Sequence, residues 1–137
     1  MINEDSADFY LNEEFGGYYP EYDILVLEGG HTSDMSFSLQ TGATTETVGN
    51  PEYIIASPQN TYRLNGFFGG QECISYFFQK KVDGKFTYLT EFDLDNDLCR
   101  FKTFYWITET KFIYSLGNHW DDSIDGKEFF IGDINYK

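Results

Sequence analysis

The amino-acid sequence predicts an all-β fold, and three observations lead to this prediction. Tyr, Phe, Ile and Thr recur in short runs, as they do in β-strands. These runs alternate with turn residues, drawn from 13 glycines and three prolines, and one Asp-Gly pair has the form of a hairpin loop. At 137 residues and 41% hydrophobic content, the chain has the size and composition of one domain. We therefore expect a single acidic domain over residues 1–137, an antiparallel meander of about eight to nine strands that forms a sandwich or a barrel-like sheet.

Helix is expected at one place only, near the N-terminus. A short helix over residues 6–14 would have Ser6 as its cap, although Asp8 and Asn12 are indifferent helix formers. The remaining elements are strands with short connections, so consecutive strands should pair. Besides the two strands of a hairpin over residues 72–92, we expect strands at residues 22–27, 35–40, 52–56, 61–67, 98–107, 111–116 and 128–134.

The hairpin over residues 72–92 is the clearest element of the sequence. Asp83-Gly84 supplies the positive φ of a two-residue type I′ turn, which places Val82 opposite Lys85. This register would pair Phe78 with Leu89 and Phe77 with Thr90. Alternation then divides the side chains into one face with Ile74, Tyr76, Phe78 and Leu89 and another with Cys73, Phe77, Phe86, Tyr88 and Phe92. Because both faces are apolar, the hairpin should be covered on both sides or present an aromatic binding surface.

The charge of the chain restricts the classes of partner. The formal net charge is −14, which repels phosphate backbones and anionic lipid, so nucleic acid and membranes are not expected as partners. Residues 1–62 hold 11 acidic residues and no Lys or Arg, and the first basic residue is Arg63. One interpretation is that this charge serves solubility alone. The other is that the acidic half steers a basic partner.

Two cysteines bear on the cellular compartment. Cys73 and Cys99 lie 26 residues apart without CxxC spacing, which disfavours a zinc or thioredoxin-like site. We expect buried reduced thiols, or a disulfide if the domain is exported. The N-terminus has no signal-peptide pattern, so a cytoplasmic location is expected, with an exported mature domain behind a new Met as the alternative.

The sequence offers little for catalysis, and an enzyme is not expected. His31 and His119 are the only histidines, and neither accompanies a recognisable nucleophile motif. A hydrolase that uses His119 with Asp121 or Asp122 remains a third interpretation of the sequence. The glycine pairs lack the spacing of a phosphate-binding loop, which disfavours nucleotide enzymes.

No cofactor is expected, with calcium as a weak exception. Asp121, Ser123 and Asp125 precede Gly126, and over these six residues the segment resembles the calcium loops of EF-hand proteins. The twelfth position is Gly132, where the calcium loop requires Glu. A hairpin loop rich in Asp, Ser and Gly explains the same residues.

Aromatic residues make up 20% of the chain, and several adjacent pairs place rings on both faces of a strand. A two-layer core would absorb many of them, and the rest would form a recognition surface, because Tyr and Trp dominate protein interfaces. Together with the acidic half, this favours a small inhibitory domain that neutralises a basic protein such as a toxin or nuclease. The expected partner-binding residues are Glu13, Glu14, Tyr18, Tyr19, Glu21, Asp23, Glu28 and Asp34.

Two functional classes therefore follow from the sequence. The chain resembles bacterial toxin-immunity proteins in size and acidity, and against a nuclease it would act as a nucleic-acid mimic. The alternative is an extracytoplasmic β-sandwich module that binds glycan through its Tyr and Trp residues, with calcium at Asp121, Ser123 and Asp125.

Overall fold

The structure is a computed structural model that describes residues 14–29, 33–70, 73–94, 99–117 and 127–135. This part of the chain is mostly β, with one four-residue helix, α1 (Thr45–Val48), and a 3-10 turn at Pro51–Tyr53. The strands are β1 (Glu14–Tyr19), β2 (Ile24–Glu28), β3 (Asp34–Ser38), β4 (Ile55–Ala56), β5 (Tyr62–Phe68), β6 (Ile74–Val82), β7 (Lys85–Glu91), β8 (Phe101–Trp106), β9 (Lys111–Leu116) and β10 (Glu128–Asp133). None of the described helices has the length and apolar character needed to span a bilayer.

The ten strands form three antiparallel sheets. We call them the N-terminal sheet (β1–β3), the central sheet (β4–β7) and the C-terminal sheet (β8–β10). Within each sheet, neighbours in the chain are neighbours in space, which confirms the expected meander. The described strands do not close into a barrel.

One face of the central sheet packs against the C-terminal sheet in an aromatic core. Leu64 is fully buried on β5, and its β6 partner Phe78 is 4% exposed. The ring of Phe78 lies 5.2 Å from Phe92 and 5.1 Å from Phe112, centroid to centroid. Phe104 stacks on Phe112 at 5.0 Å. Burial of each such ring contributes about 1.5–3 kcal/mol, so this cluster is the main source of stability.

The opposite face of the central sheet combines the buried ring of Phe77 with buried polar side chains. Asn65 and Gln79 are 0% and 2% exposed. The Asn65 amide donates to the Val48 carbonyl at 2.9 Å, and the Gln79 amide donates to the Thr47 carbonyl at 3.2 Å. Both carbonyls belong to the end of α1, where the helix itself offers no donors. Gly49 follows at φ +70, and a Cβ there would lie 2.6 Å from the Asn65 amide, so this close approach requires glycine.

The predicted hairpin forms at Asp83-Gly84, but its register changes along the strands. The expected pairing holds from Val82↔Lys85 to Gln79↔Tyr88 and then shifts by one residue. Phe78 pairs with Thr90 and Phe77 with Glu91, so the expected partners Leu89 and Thr90 are wrong. A β-bulge that leaves Leu89 unpaired is the reason, because one extra residue moves every later side chain to the other face. Phe92 therefore lies on the face of Phe78, and Leu89 is 41% exposed.

Three further elements differ from the sequence prediction. Helix α1 lies at Thr45–Val48, where no helix was expected. Strand β1 occupies Glu14–Tyr19, where no strand was expected, and it takes the last residue of the predicted helix. The rest of that helix lies outside the described residues. The expected strand over residues 52–56 is reduced to Ile55–Ala56, because Pro51 starts a 3-10 turn that the Asn50 side chain caps through the Glu52 amide at 3.0 Å.

Cys73 and Cys99 form a disulfide, which is the second of the two states that the sequence left open. The bond joins the segment before β6 to the segment before β8, and it therefore links the central and C-terminal sheets. Closing a loop of this length stabilises the fold by about 3.5 kcal/mol in the chain-entropy treatment. A cytoplasmic location stays a prediction, as does the exported alternative.

Candidate functional site

Three carboxylates act electrostatically on the Tyr19 hydroxyl at the end of β1. Burial raises the pKa of the Tyr19 hydroxyl, and Glu52 raises it further through its charge and a hydrogen bond. The charges of Asp34 and Glu21 act in the same direction. We call Glu21, Asp34 and Glu52 the acidic patch. Glu21 and Asp34 are predicted partner-binding residues, whereas sequence reasoning missed Glu52 because it follows Tyr19 by 33 positions.

The three members of the acidic patch have different environments. Asp34 is partly buried, and its carboxylate accepts from the Phe68 amide at 2.7 Å and from the Asn50 side chain at 3.2 Å. It therefore fastens the N-terminal sheet to the central sheet. Glu21 and Glu52 are exposed. Within the described residues, no member of the patch forms an ion pair with Lys or Arg, so its negative charge is uncompensated at short range.

The turn between β1 and β2 presents Glu21 beside an exposed ring. Tyr22 is 38% exposed, and its amide donates to the Tyr19 carbonyl at 3.1 Å. Asp23 adopts φ 55, a left-handed conformation that Asp tolerates better than most residues. The Asp23 carbonyl accepts from the Leu39 amide at 2.9 Å, which ties the turn to the end of β3. These backbone bonds hold the turn in one conformation.

The remaining predicted partner-binding residues do not share this location. Tyr18 is 51% exposed, and it lies on the opposite face of β1 from Tyr19 because neighbours in a strand alternate. Glu28 pairs in register with Asp34 of the acidic patch on one side and with Glu14 on the other, at the end of the N-terminal sheet away from the β1–β2 turn. Glu13 lies outside the described residues.

The metal and catalytic candidates of the sequence also lie outside the described residues. Asp121, Ser123 and Asp125 belong to residues 118–126, and His31 and His119 are likewise not described. Calcium binding therefore stays a prediction. In the part of the chain that the structure describes, no three His, Cys, Asp or Glu residues are grouped as metal ligands.

A cleft of about 710 Å³ adjoins the acidic patch. It lies between the β1–β2 turn, the segment from β3 to α1, and the tip of the β6–β7 hairpin. Glu21, Tyr22 and Asp23 line one side, and Phe86 and Tyr88 line the other. A volume in the hundreds of cubic ångströms is typical of clefts that bind small molecules.

Arg63 lines this cleft and was missed by sequence reasoning as a site residue. It is only 6% exposed, and its Nε donates to Gln79 Oε1 at 2.6 Å. The guanidinium carbon lies 4.0 Å from the centroid of the Phe86 ring and 5.1 Å from that of Tyr22. Burial lowers the pKa of Arg63 to about 10, against a small raising effect of Tyr22, so the group is charged at neutral pH. The sequence did contain one signal for this site. Arg63 is the first basic residue of the chain, and it lies within an alternating apolar strand.

The outer face of the C-terminal sheet is a second surface that sequence reasoning did not locate. Tyr105, Phe129 and Ile131 are 65%, 63% and 72% exposed. Tyr105 and Ile131 lie in one row across the sheet, because each pairs with Ile113. The aromatic pairs in the sequence predicted rings on both strand faces, and here one ring of each pair faces outward.

The fold and these surfaces define an antiparallel β-protein of three sheets, with an acidic patch beside an arginine-based cleft. Comparison of the chain with protein-family models, curated proteins and solved structures finds no match.

Proposed function

We propose that this protein binds and neutralises a basic protein, through the acidic patch and the β1–β2 turn. The observation that carries the proposal is the arrangement around Tyr19, where exposed Glu21 and Glu52 have no basic partner among the described residues. A surface of this kind accelerates encounter with a cationic protein by about 10- to 1,000-fold at low salt. Since long-range attraction alone does not hold a complex, a desolvated contact is also required.

Tyr22 supports the second requirement. Its ring is 38% exposed and lies next to Glu21 on a turn held by backbone hydrogen bonds. A rigid tyrosine gives contact area at a small entropic cost, which is why tyrosines are common at the centre of interfaces. For a nuclease, the same carboxylates would occupy the cationic groove that takes phosphate, so the domain would act as a nucleic-acid mimic.

The proposal is tested by the kinetics of association. The tagged protein is used at about 50 mM salt to retain basic proteins, and the retained protein is purified for stopped-flow measurements. We expect Glu21→Lys and Glu52→Lys each to lower the association rate constant about threefold or more, with a smaller change in the dissociation rate constant.

Glu91→Lys is the matched control, because Glu91 is exposed on β7 of another sheet and the change in charge is the same. It should leave the association rate constant within about twofold of the wild-type value. Retention of no basic protein would contradict the proposal. Equal effects of all three substitutions would show that only net charge matters and would reject the acidic patch as the interface.

A further inference from the structure

The cleft beside the acidic patch contains a buried cation whose hydrogen-bonding capacity is mostly unused. Only 6% of the Arg63 surface is exposed to solvent. Its guanidinium group carries five N–H donors. In the described part of the chain, Gln79 Oε1 at 2.6 Å from Nε is the one acceptor for these donors. Among the described residues, Nη1 and Nη2 have neither a hydrogen-bond acceptor nor a carboxylate within 4.0 Å.

The surroundings of Arg63 hold its guanidinium in place. Phe86 packs against it at 4.0 Å and Tyr22 at 5.1 Å, each measured from the guanidinium carbon to the ring centroid. Gln79 is itself fixed, since its amide donates to the Thr47 carbonyl at 3.2 Å. A donor group that is already immobilised loses little entropy on binding, so its remaining hydrogen bonds are inexpensive to form.

Nη1 and Nη2 are not among the buried unpartnered atoms of the described residues, so they are accessible from the cleft, and an anion there would pair with a cation that is otherwise largely withdrawn from water. The lining selects among anions. Glu21 and Asp23 line the same cleft and repel a doubly charged phosphate, whereas a carboxylate carries one charge and matches the planar fork of one arginine. The aromatic side chains of Phe86 and Tyr88 on the opposite wall favour an organic body over a bare ion.

We propose that this cleft binds the carboxylate group of an organic ligand, with Nη1 and Nη2 of Arg63 as donors and with Tyr22 and Phe86 beside the bound group. The carboxylate comes either from a free small molecule or from the C-terminus of a polypeptide. The cleft shares Glu21 and Tyr22 with the surface proposed for a basic partner, but its test uses carboxylate probes and no protein partner, so failure of one proposal is distinguishable from failure of the other.

The test is a titration of the full-length protein followed by the Arg63 Nε–H resonance in ¹H–¹⁵N spectra. The probes are benzoate, a short neutral peptide that ends in phenylalanine, the same peptide amidated at its C-terminus, and inorganic phosphate. We expect benzoate to shift the Arg63 resonance in a saturable manner. Phosphate should bind at least about tenfold more weakly, because the rim carboxylates repel its second charge.

Two substitutions locate the binding. Arg63→Gln should weaken benzoate binding by about tenfold or more, as expected for loss of charge-assisted hydrogen bonds; calorimetry measures this, since the variant lacks the Arg63 signal. Gln40→Trp tests the site without altering Arg63, because Gln40 is exposed and lines the cleft. Leu39→Trp is its control, at a neighbouring residue that is 54% exposed and outside the lining.

Each outcome decides one point. Benzoate binding that Gln40→Trp weakens and Leu39→Trp preserves supports the site even if Arg63→Gln fails to fold. Tighter binding of the free peptide than of benzoate, lost on amidation, assigns a polypeptide C-terminus, and equal or weaker binding assigns a small molecule. The proposal is overturned if no carboxylate shifts the resonance, if phosphate binds as tightly as benzoate, or if a folded Arg63→Gln variant binds normally.

Discussion

The two faces of the central sheet are both buried along β5 and yet differ in chemistry, because polar side chains are buried on one of them. On β5, Leu64 and Asn65 are neighbours and both are fully buried. Leu64 belongs to the aromatic core against the C-terminal sheet, and Asn65 bonds to the end of α1. The first face gains stability from buried apolar area, which depends little on direction. The second depends on individual hydrogen bonds, each of which requires one geometry.

Because of this difference, one face of the central sheet mainly stabilises the fold and the other mainly positions the candidate site residues. The acidic patch and the cleft both lie on the polar side, where Asp34, Asn65 and Gln79 attach the N-terminal sheet and α1 to the central sheet. A small apolar cluster of Ile24, Val26 and Val48 adds to this attachment. The aromatic side therefore supplies most of the folding energy, and the polar side determines where the candidate site residues stand.

The largest expected effect is on the aromatic side. Phe78→Ala removes a ring that contacts Phe92, Phe104 and Phe112, and it should lower the free energy of unfolding by about 3–5 kcal/mol. Urea denaturation measures this. Phe129→Ala is the control at a ring that is 63% exposed, and it should change stability by about 0.5 kcal/mol or less. Similar losses for both variants would show that the core is not centred on Phe78.

A smaller effect is expected on the polar side. Asn65→Ala leaves the Val48 carbonyl and the Gly66 amide without side-chain partners, and it should cost about 1–3 kcal/mol. The exposed control is Gln59→Ala, which should be nearly neutral. Hydrogen exchange sharpens the comparison, because the variant should increase exchange in β2 and β3 more than in β8 and β9. Uniform acceleration across all three sheets would contradict the separation of the two sides.

The smallest effect is a pH dependence at the edge of the central sheet. Burial raises the pKa of Glu109, but hydrogen bonds from Gln59, Ser57 and Thr61 outweigh it and lower the pKa overall. A carboxyl with a depressed folded-state pKa stabilises the fold above its unfolded pKa, and this contribution is lost as pH falls through the folded value.

Glu109→Gln should therefore be less stable than wild type at pH 7, and the gap should shrink as the solution is acidified. Thermal unfolding at a series of pH values measures the gap, with Glu91→Gln at an exposed strand position as control. A gap for Glu109→Gln that stays constant down to acidic pH would show that this carboxylate does not hold the turn over residues 57–61.

Several parts of the fold could be predicted because their signals are local. Asp83-Gly84 specifies its turn through positive φ at both positions, and short connections imply sequential pairing. The bulge at Leu89 could not be predicted, because nothing in its neighbours distinguishes it from a regular strand residue. Strand β1 was missed because Gly16-Gly17 is typical of a turn. In the structure, Gly16 lies in the strand and packs so closely on β2 that a Cβ would lie 3.0 Å from the Val26 carbonyl oxygen.

The candidate site was only partly predictable for a related reason. The acidity of the first 62 residues is a property of composition, so Glu21 and Asp34 could be identified as members of an acidic surface. The burial of Arg63 depends on cover from Tyr22 and Phe86, which are 41 and 23 positions from it in the sequence. Contacts between residues this far apart leave no pattern in the local sequence. The disulfide between Cys73 and Cys99 is also such a long-range contact.

Because of the position of that disulfide, the three sheets differ in their resistance to partial unfolding. The covalent bond joins two of the three sheets, whereas the N-terminal sheet is held by Asp34, a few amides and a small apolar cluster. Cooperative units with fewer buried contacts open at lower free energy than the whole protein. Sheet β1–β3 should therefore detach and reattach while the cross-linked sheets stay folded, and each detachment would separate Glu21 and Asp34 from Glu52 and Tyr22 from Arg63.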